Sequence, residues 1–348
     1  MKTGVLADDR IMLRHGAGGR AMRRLIEESF CRAFAMEPEL PAGVIGLSAM
    51  DDGAAVRIGD EWLVLTTDSH VIHPVFFPGG DIGRLSISGT VNDLAMMGAT
   101  EVLGLTCSVI IEEGFPAADL ERILASMHQA CEEAHARVIT GDTKVMGKGE
   151  IDGIVINTTG IGLTSTLIRD CGLTAGDRLI VTGTLGDHGM AIMATRHGLA
   201  LEGPLLSDVA PINGLIHQVL SDYAESVTAM KDPTRGGLAS ALHEMAAKGN
   251  VGIIIDEAAL PVRPAVRAVS ELVGVDPMLV ANEGKAVIGV RQGATDAVLA
   301  ALRSHPLGKD AAIIGLCTAD RPGMLVLDTG FGRRLLAEPE GEPLPRIC

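Results

Sequence analysis

The chain has 348 residues, 47% of them hydrophobic, and a net charge of −15. That length buries a substantial core and favours two domains over one, while the acidic balance, reversed by no local cluster of lysine or arginine, argues against nucleic acid as a partner. The opening MKTGVLADDR lacks the apolar core of a signal peptide and no apolar run is long enough to cross a bilayer, so the expectation is a cytoplasmic location with no membrane partner.

Six cysteines (Cys31, Cys107, Cys131, Cys171, Cys317 and Cys348) are scattered without a CxxC pair and lie mostly in apolar stretches, which reads as reduced, packed thiols. Near the start, HGAGGRAMRRLIEESFCRAF sets a glycine-rich loop before a helix with Met22, Leu25, Ile26 and Phe30 at helical spacing. Glycines before a helix are usually only a turn, but they also suit an anion at the helix N-terminus. WLVLTTDS reads as a strand delivering Asp68 at its end. DIGRLSISGTVNDLAMMG reads as a helix capped by Asp81 and closed by Gly98, with Asn92 and Asp93 well inside it as either a solvated patch or a site.

LERILASMHQACEEAHA is an amphipathic helix, ARVITGDTK a strand ending in Asp142, and GIVINTTGIGL a buried strand. A second half opens at LTAGDRLIVTGTLGDHG. Helices follow in GLASALHEMAAKGN, PAVRAVSELVG and ATDAVLAALRSH, with strands in VGIIIDE, KAVIGV, AAIIGLCTA and GMLVLDTG. The expectation is an α+β protein in two lobes: 1–165, 166–330, and a flexible tail, 331–348, ending in EPLPRIC.

Asp51, Asp52, Asp68 and Asp142 all fall in short turns after or between apolar strands. Each alone is most simply a turn cap. Brought together with Asp93, they would repel one another unless a cation sat among them, and hard oxygen donors suit magnesium bound with a nucleotide's phosphates.

MDDGAAV, TTDS, TVNDLAMMGA, ITGDTK and KDPTRGGL resemble the ordered motifs of the PurM-like superfamily of ATP-using enzymes, which includes aminoimidazole ribonucleotide synthetase, selenophosphate synthetase and thiamine monophosphate kinase. HGAGG, FFPGGDIG, GDTKV, TLGDHG, ANEGK, SHPLGKDAAIIG and the terminal PRIC resemble, within it, the HypE family of hydrogenase-maturation carbamoyl dehydratases. The resemblance spans most of the chain and implies a two-lobed PurM-like fold. It also implies an activity: Cys348 takes a carbamoyl group from a carbamoyltransferase, HypF, and ATP drives dehydration of that S-carboxamide to a thiocyanate, whose cyanide passes to the HypC–HypD complex for [NiFe]-hydrogenase.

On this resemblance the cofactors are ATP and Mg2+, with Asp51, Asp52, Asp68, Asp93 and Asp142 as metal ligands. His15, Gly16, Gly18, Gly19, Asn92, Thr143 and Asp232 complete the nucleotide site. Glu283, in the NEGK motif, is implied as a base, and Lys144, in GDTK, as either a base or a clamp on the transferring phosphoryl group. His188 reads as structural, His15 either way. The superfamily implies a homodimer. Competing expectations are another PurM-like enzyme such as a selenophosphate synthetase, or a non-catalytic thiol carrier or scaffold. Neither accounts for both the aspartates and the terminal thiol.

Overall fold

Two runs of β-branched and apolar strands, each interleaved with helices, build two separate sheets. The computed structural model describes residues 10–34, 43–201, 203–341 and 346–348; Pro343 and Pro345 of the tail lie outside them. The first half runs α1 (Gly19–Leu25), β1 (Val44–Ile45), β2 (Ala54–Ile58), β3 (Glu61–His70), β4 (Phe76–Phe77), β5 (Gly80–Asp81), α2 (Ile82–Met96), β6 (Glu101–Glu112), α3 (Ala117–Glu133), β7 (Val138–Met146) and β8 (Ile154–Thr164). Its six-stranded sheet has the order β1-β2-β3-β8-β6-β7, antiparallel except for the β6/β7 pair at the edge.

The expected N-terminal helix is short. After α1 the chain continues as a π turn, Ile26–Cys31, and Phe30 is exposed. In α2 the expected cap is present, with Asp81 Oδ1 accepting from Arg84 N at 2.9 Å. This helix is buried almost throughout, because it packs on β3 and β8, on α3 and on α5 and β10 of the second half. Gly89 makes that approach possible: a Cβ there would stand 2.8 Å from His70 Nε2.

The second half runs β9 (Arg178–Val181), α4 (Asp187–Arg196), α5 (Asn213–Tyr223), β10 (Val227–Lys231), α6 (Gly237–Gly249), β11 (Gly252–Asp256), α7 (Pro264–Val273), β12 (Val287–Val290), α8 (Thr295–Ser304), β13 (Ala312–Thr318), β14 (Leu325–Asp328) and β15 (Arg333–Leu336). Its seven-stranded sheet is ordered β10-β12-β9-β13-β11-β14-β15. The α+β architecture in two lobes is the one expected. Because β15 pairs antiparallel with β14, the stretch without regular structure starts after Leu336 rather than at 331.

A core shared between the halves joins Ala95 and Met96 of α2 to Ile168, Ile180, Ile212 and Ile216. Among the described residues no helix is long and apolar enough to cross a membrane.

Candidate active site

The end of β3, the middle of α2, the loop after β10 and the loop before β12 converge where the halves meet. Strand alternation puts Thr66, Asp68 and His70 on the face of the sheet covered by α2. Thr66 Oγ1 lies 2.9 Å from Asp93 Oδ2, and His70 Nε2 lies 3.2 Å from Asp68 Oδ2. From KDPTRGG, Arg235 Nη2 reaches Asp68 Oδ1 at 3.3 Å, and Asp232 is buried beside it. Asn282 holds the NEGK loop in place: it donates to the carbonyls of Pro233 and Val280 and accepts from Gly186 N at 2.7 Å. The next residue, Glu283, is 3% exposed, and its Oε1 has no hydrogen-bond partner.

These carboxyl groups raise one another's proton affinity. Burial pushes Asp93 well above the carboxylate range, and Asp232, Asp68 and Asp52 push the same way. Asp232 is raised to about 6, by burial first and by Asp68. Glu283 is raised by burial, then by Asp232, Asp208 and Asp68, against Arg235. Asp68 goes the other way, since His70 and Arg235 outweigh its burial.

The chain end enters this cluster. Ile347 is 2% exposed; Val71 N donates to the Cys348 carbonyl and His73 N to that of Arg346, each at 3.3 Å. Arg196 Nη2 also donates to the Arg346 carbonyl, at 2.5 Å. The negative charge at Cys348 is the largest influence raising the pKa of Arg235, ahead of Asp68 and Glu283, so the terminus faces the guanidinium that Asp68 also contacts.

Several expected site residues are engaged by other partners. Asp51 is 1% exposed at its side chain, 3.3 Å from Arg169 Nε, and accepts from the amides of Asp52 and Asp170. Asp52 Oδ1 is 2.5 Å from Lys231 Nζ. Asn92 is a tie between the halves: it donates to the carbonyls of Ala210 and Glu283 and accepts from Ile212 N.

Asp142 pairs in register with Ser108, Asn157 and Ser69, and Asp68 with Thr158 and Cys107, so the two aspartates stand on opposite faces of the sheet. Three strand spacings of about 4.8 Å also separate β7 from β3. Asp142 and Lys144 are exposed, 3.0 Å apart, and Thr143 is exposed at the same edge. Accordingly, among the described residues no group of three acidic, histidine or cysteine side chains is arranged to hold a metal ion.

The glycine loop is likewise occupied by the chain itself. Arg20 N and Ala21 N donate to the carbonyls of Pro339 and Glu340. A Cβ on Gly18 would stand 2.7 Å from the Arg235 backbone, and one on Gly19 would stand 2.5 Å from Pro339 O. Gly16 has open space beside it, while His15 is buried and its Nδ1 accepts from Met12 N. The first turn of α1 thus caps the tail rather than presenting an anion site.

Lys231, Arg235 and His70 were missed by sequence reasoning. A signal existed for each: the first two flank Asp232 within KDPTRGG, and His70 lies two residues beyond Asp68 on the same strand face.

Residues 50–164 match the N-terminal domain of AIR synthase related proteins, and residues 174–327 match the C-terminal domain. The chain is 48% identical over 340 residues to the carbamoyl dehydratase HypE of Escherichia coli K12, covering 97% of this chain and 99% of that protein. The crystal structure of a HypE–HypF complex matches with a TM-score of 0.83 at 42% identity, covering 90% of this chain and 99% of that one. That of HypE in complex with ATP matches with a TM-score of 0.79 at 39% identity, covering 97% of this chain and 100% of that one. With both AIR synthase related domains in order and this identity across nearly its whole length, the chain belongs to the carbamoyl dehydratase family, HypE, of the AIR synthase related proteins.

Proposed function

We propose that this chain uses ATP to dehydrate a carboxamide carried on its own Cys348 to a thiocyanate, within [NiFe]-hydrogenase maturation. The observation that carries the reading is the chain end itself: its last residues are seated in the acidic cluster, with the negative charge at Cys348 acting on Arg235.

An amide oxygen is a poor leaving group. Transfer of the γ-phosphoryl group of ATP onto it, with loss of one of the two protons on nitrogen, gives ADP and an O-phosphorylated imidate. Loss of phosphate and of the remaining proton on nitrogen then leaves the nitrile on sulfur. Glu283, buried with an unpartnered oxygen, is placed to accept that proton. Arg235 holds the chain end by charge, and the two flanking halves exclude water.

Asp52, Asp93 and Asp232 are the residues that would hold a magnesium ion: hard, buried carboxylates raised first of all by burial, with Asp52 Oδ2 unpartnered, although in this arrangement no three of the described side chains surround a cation position. Bound there with ATP, the ion would neutralise charge on the phosphates. Asp93→Asn is expected to lower magnesium-dependent ATP turnover at least about tenfold. Native turnover at saturating magnesium removes Asp93 from that role.

The carbamoyl donor partner is HypF, and the HypC–HypD complex takes the product. The six cysteines, none in a disulfide, suit the cytoplasm. The active form is a homodimer. Edge strand β7 exposes Ile139 and Val145, and Leu124 is exposed nearby, a face that a second copy would cover. Asp142, Thr143 and Lys144 act from that edge, on the partner's nucleotide.

The direct test is the intact mass of the full chain with HypF, its carbamoyl donor and ATP: a carbamoyl adduct is expected, then a form lighter by one water. An adduct that never loses water leaves a thiol carrier. Two alanines added after Cys348 are expected to preserve the adduct and slow water loss about tenfold or more, because misplacement near 1 Å is already costly. Equal water loss by native and extended tails would show the terminal position to be incidental.

A further inference from the structure

His188 lies in the TLGDHG turn at the start of α4, fully buried, and the proposed chemistry gives it no part. Its surroundings define its state. Nε2 is 2.7 Å from the carbonyl oxygen of Ile347, and Nδ1 is 2.7 Å from Ser207 Oγ. A carbonyl only accepts, so Nε2 carries the hydrogen. Burial lowers the affinity of the ring for a second proton, so the neutral ring accepts at Nδ1 from the Ser207 hydroxyl. That hydroxyl in turn accepts from Val209 N at 3.1 Å. Phe77 meets the ring edge to face at 5.4 Å between centroids. The imidazole is held in one tautomer and one orientation, aimed at the residue before the terminal cysteine.

The same loop holds the base. Asp208, next to Ser207, accepts from Glu283 N at 3.2 Å and pairs with Lys285 at 3.2 Å. Two consecutive residues thus support the tail's anchor and the residue assigned to proton abstraction.

Building on the reading that Cys348 carries the reacting group, we propose that His188 is the docking receptor of the C-terminus, a positioning residue whose Nε2–H holds the Ile347 carbonyl and so sets Cys348 beside Arg235. Val71, His73 and Arg196 also grip the tail, but through main-chain amides and a partly exposed guanidinium. The His188 bond is the buried one, and it acts on the carbonyl joined directly to Cys348.

The test reads the thiol rather than turnover. The full-length chain, without ATP or carbamoyl donor, is treated with iodoacetamide, and alkylation of Cys348 is followed by peptide mass spectrometry. Its rate is normalised to those of Cys31 and Cys171, which are also partly buried. His188→Met removes the donor at similar volume, while His188→Gln retains an N–H donor.

Loss of one buried hydrogen bond predicts alkylation of Cys348 about tenfold faster in His188→Met than in the native chain, with His188→Gln within about threefold of native. Equal normalised rates in the two variants overturn the proposal. Since no ATP is present, a native chain that never dehydrates a carboxamide refutes the proposed function and leaves this measurement standing. In a chain that does dehydrate, water loss is expected to be slow in His188→Met and rescued in His188→Gln; absence of rescue counts against the receptor role.

Discussion

Glu283→Gln is expected to slow loss of water from the tail carboxamide by about 10²–10⁴-fold, the range for removing a positioned base, while leaving carbamoylation of Cys348 intact. The side chain is 3% exposed, and burial, Asp232, Asp208 and Asp68 raise its pKa against Arg235. A base with raised affinity for protons is better matched to taking one from nitrogen, but it must first be ionised. The native rate is therefore expected to rise with pH through the raised pKa, and the Gln variant to lose that limb.

Stability runs the opposite way. A carboxyl whose folded pKa exceeds its unfolded value supports the fold fully below the unfolded value, about 4.3 for Glu, and loses that support as pH rises through the folded value. Above that window Glu283→Gln is expected to melt at a higher temperature than the native chain. The measurement pairs mass spectrometry of the tail peptide with thermal unfolding across pH. A variant with the native rate and the native pH limb would remove Glu283 from the chemistry.

Lys231→Met is expected to carry the largest stability cost. Its ammonium group lies 2.5 Å from Asp52, 3.4 Å from Glu244 and 3.6 Å from Asp170. Burial opposes its charge, but the three carboxylates outweigh that and hold it well above the ordinary lysine range. Without the cation these carboxylates stay in the interior uncompensated, apart from Lys248 on Asp170. Orphaning buried charge costs about 3–5 kcal/mol, or about 6–20 °C in Tm for lobes of this size.

Protonation would relieve the orphaned groups, so the deficit is expected to narrow as pH falls from about 8 to about 5. Adding Asp52→Asn is expected to recover part of it. A loss below about 1 kcal/mol, or one unchanged by pH, would show that the three carboxylates do not depend on Lys231.

Legibility in the sequence followed the kind of burial. Strands β3, β8, β11 and β13 and helices α3, α6, α7 and α8 were readable because one face is apolar and the other is not, or because a strand is apolar throughout. Helices α4 and α5 and strands β6 and β10 were not singled out. Helix α4 is buried along nearly its whole length, so DHGMAIMATR shows no contrast between faces. Helix α2 suffers the same loss of contrast, yet was found through its cap, since Asp81 before the first turn and Gly98 after the last are local signals.

By itself, the sequence determined the two-lobed α+β architecture, the order of its motifs, the terminal cysteine and the presence of Asp68, Asp93, Asp232 and Glu283 within those motifs, because strand period, caps and short motifs are encoded within a few residues of one another. Only the tertiary structure decided which acidic groups meet. Asp51 turns to Arg169 and Asp52 to Lys231, while Asp142 and Lys144 stand on an outer edge, since these depend on strand order and on which face each register presents. The seat of the tail, likewise, is built by His188, Val71, His73 and Arg196, residues more than a hundred positions from Cys348, whose bonds to it exist only once the two halves have folded together.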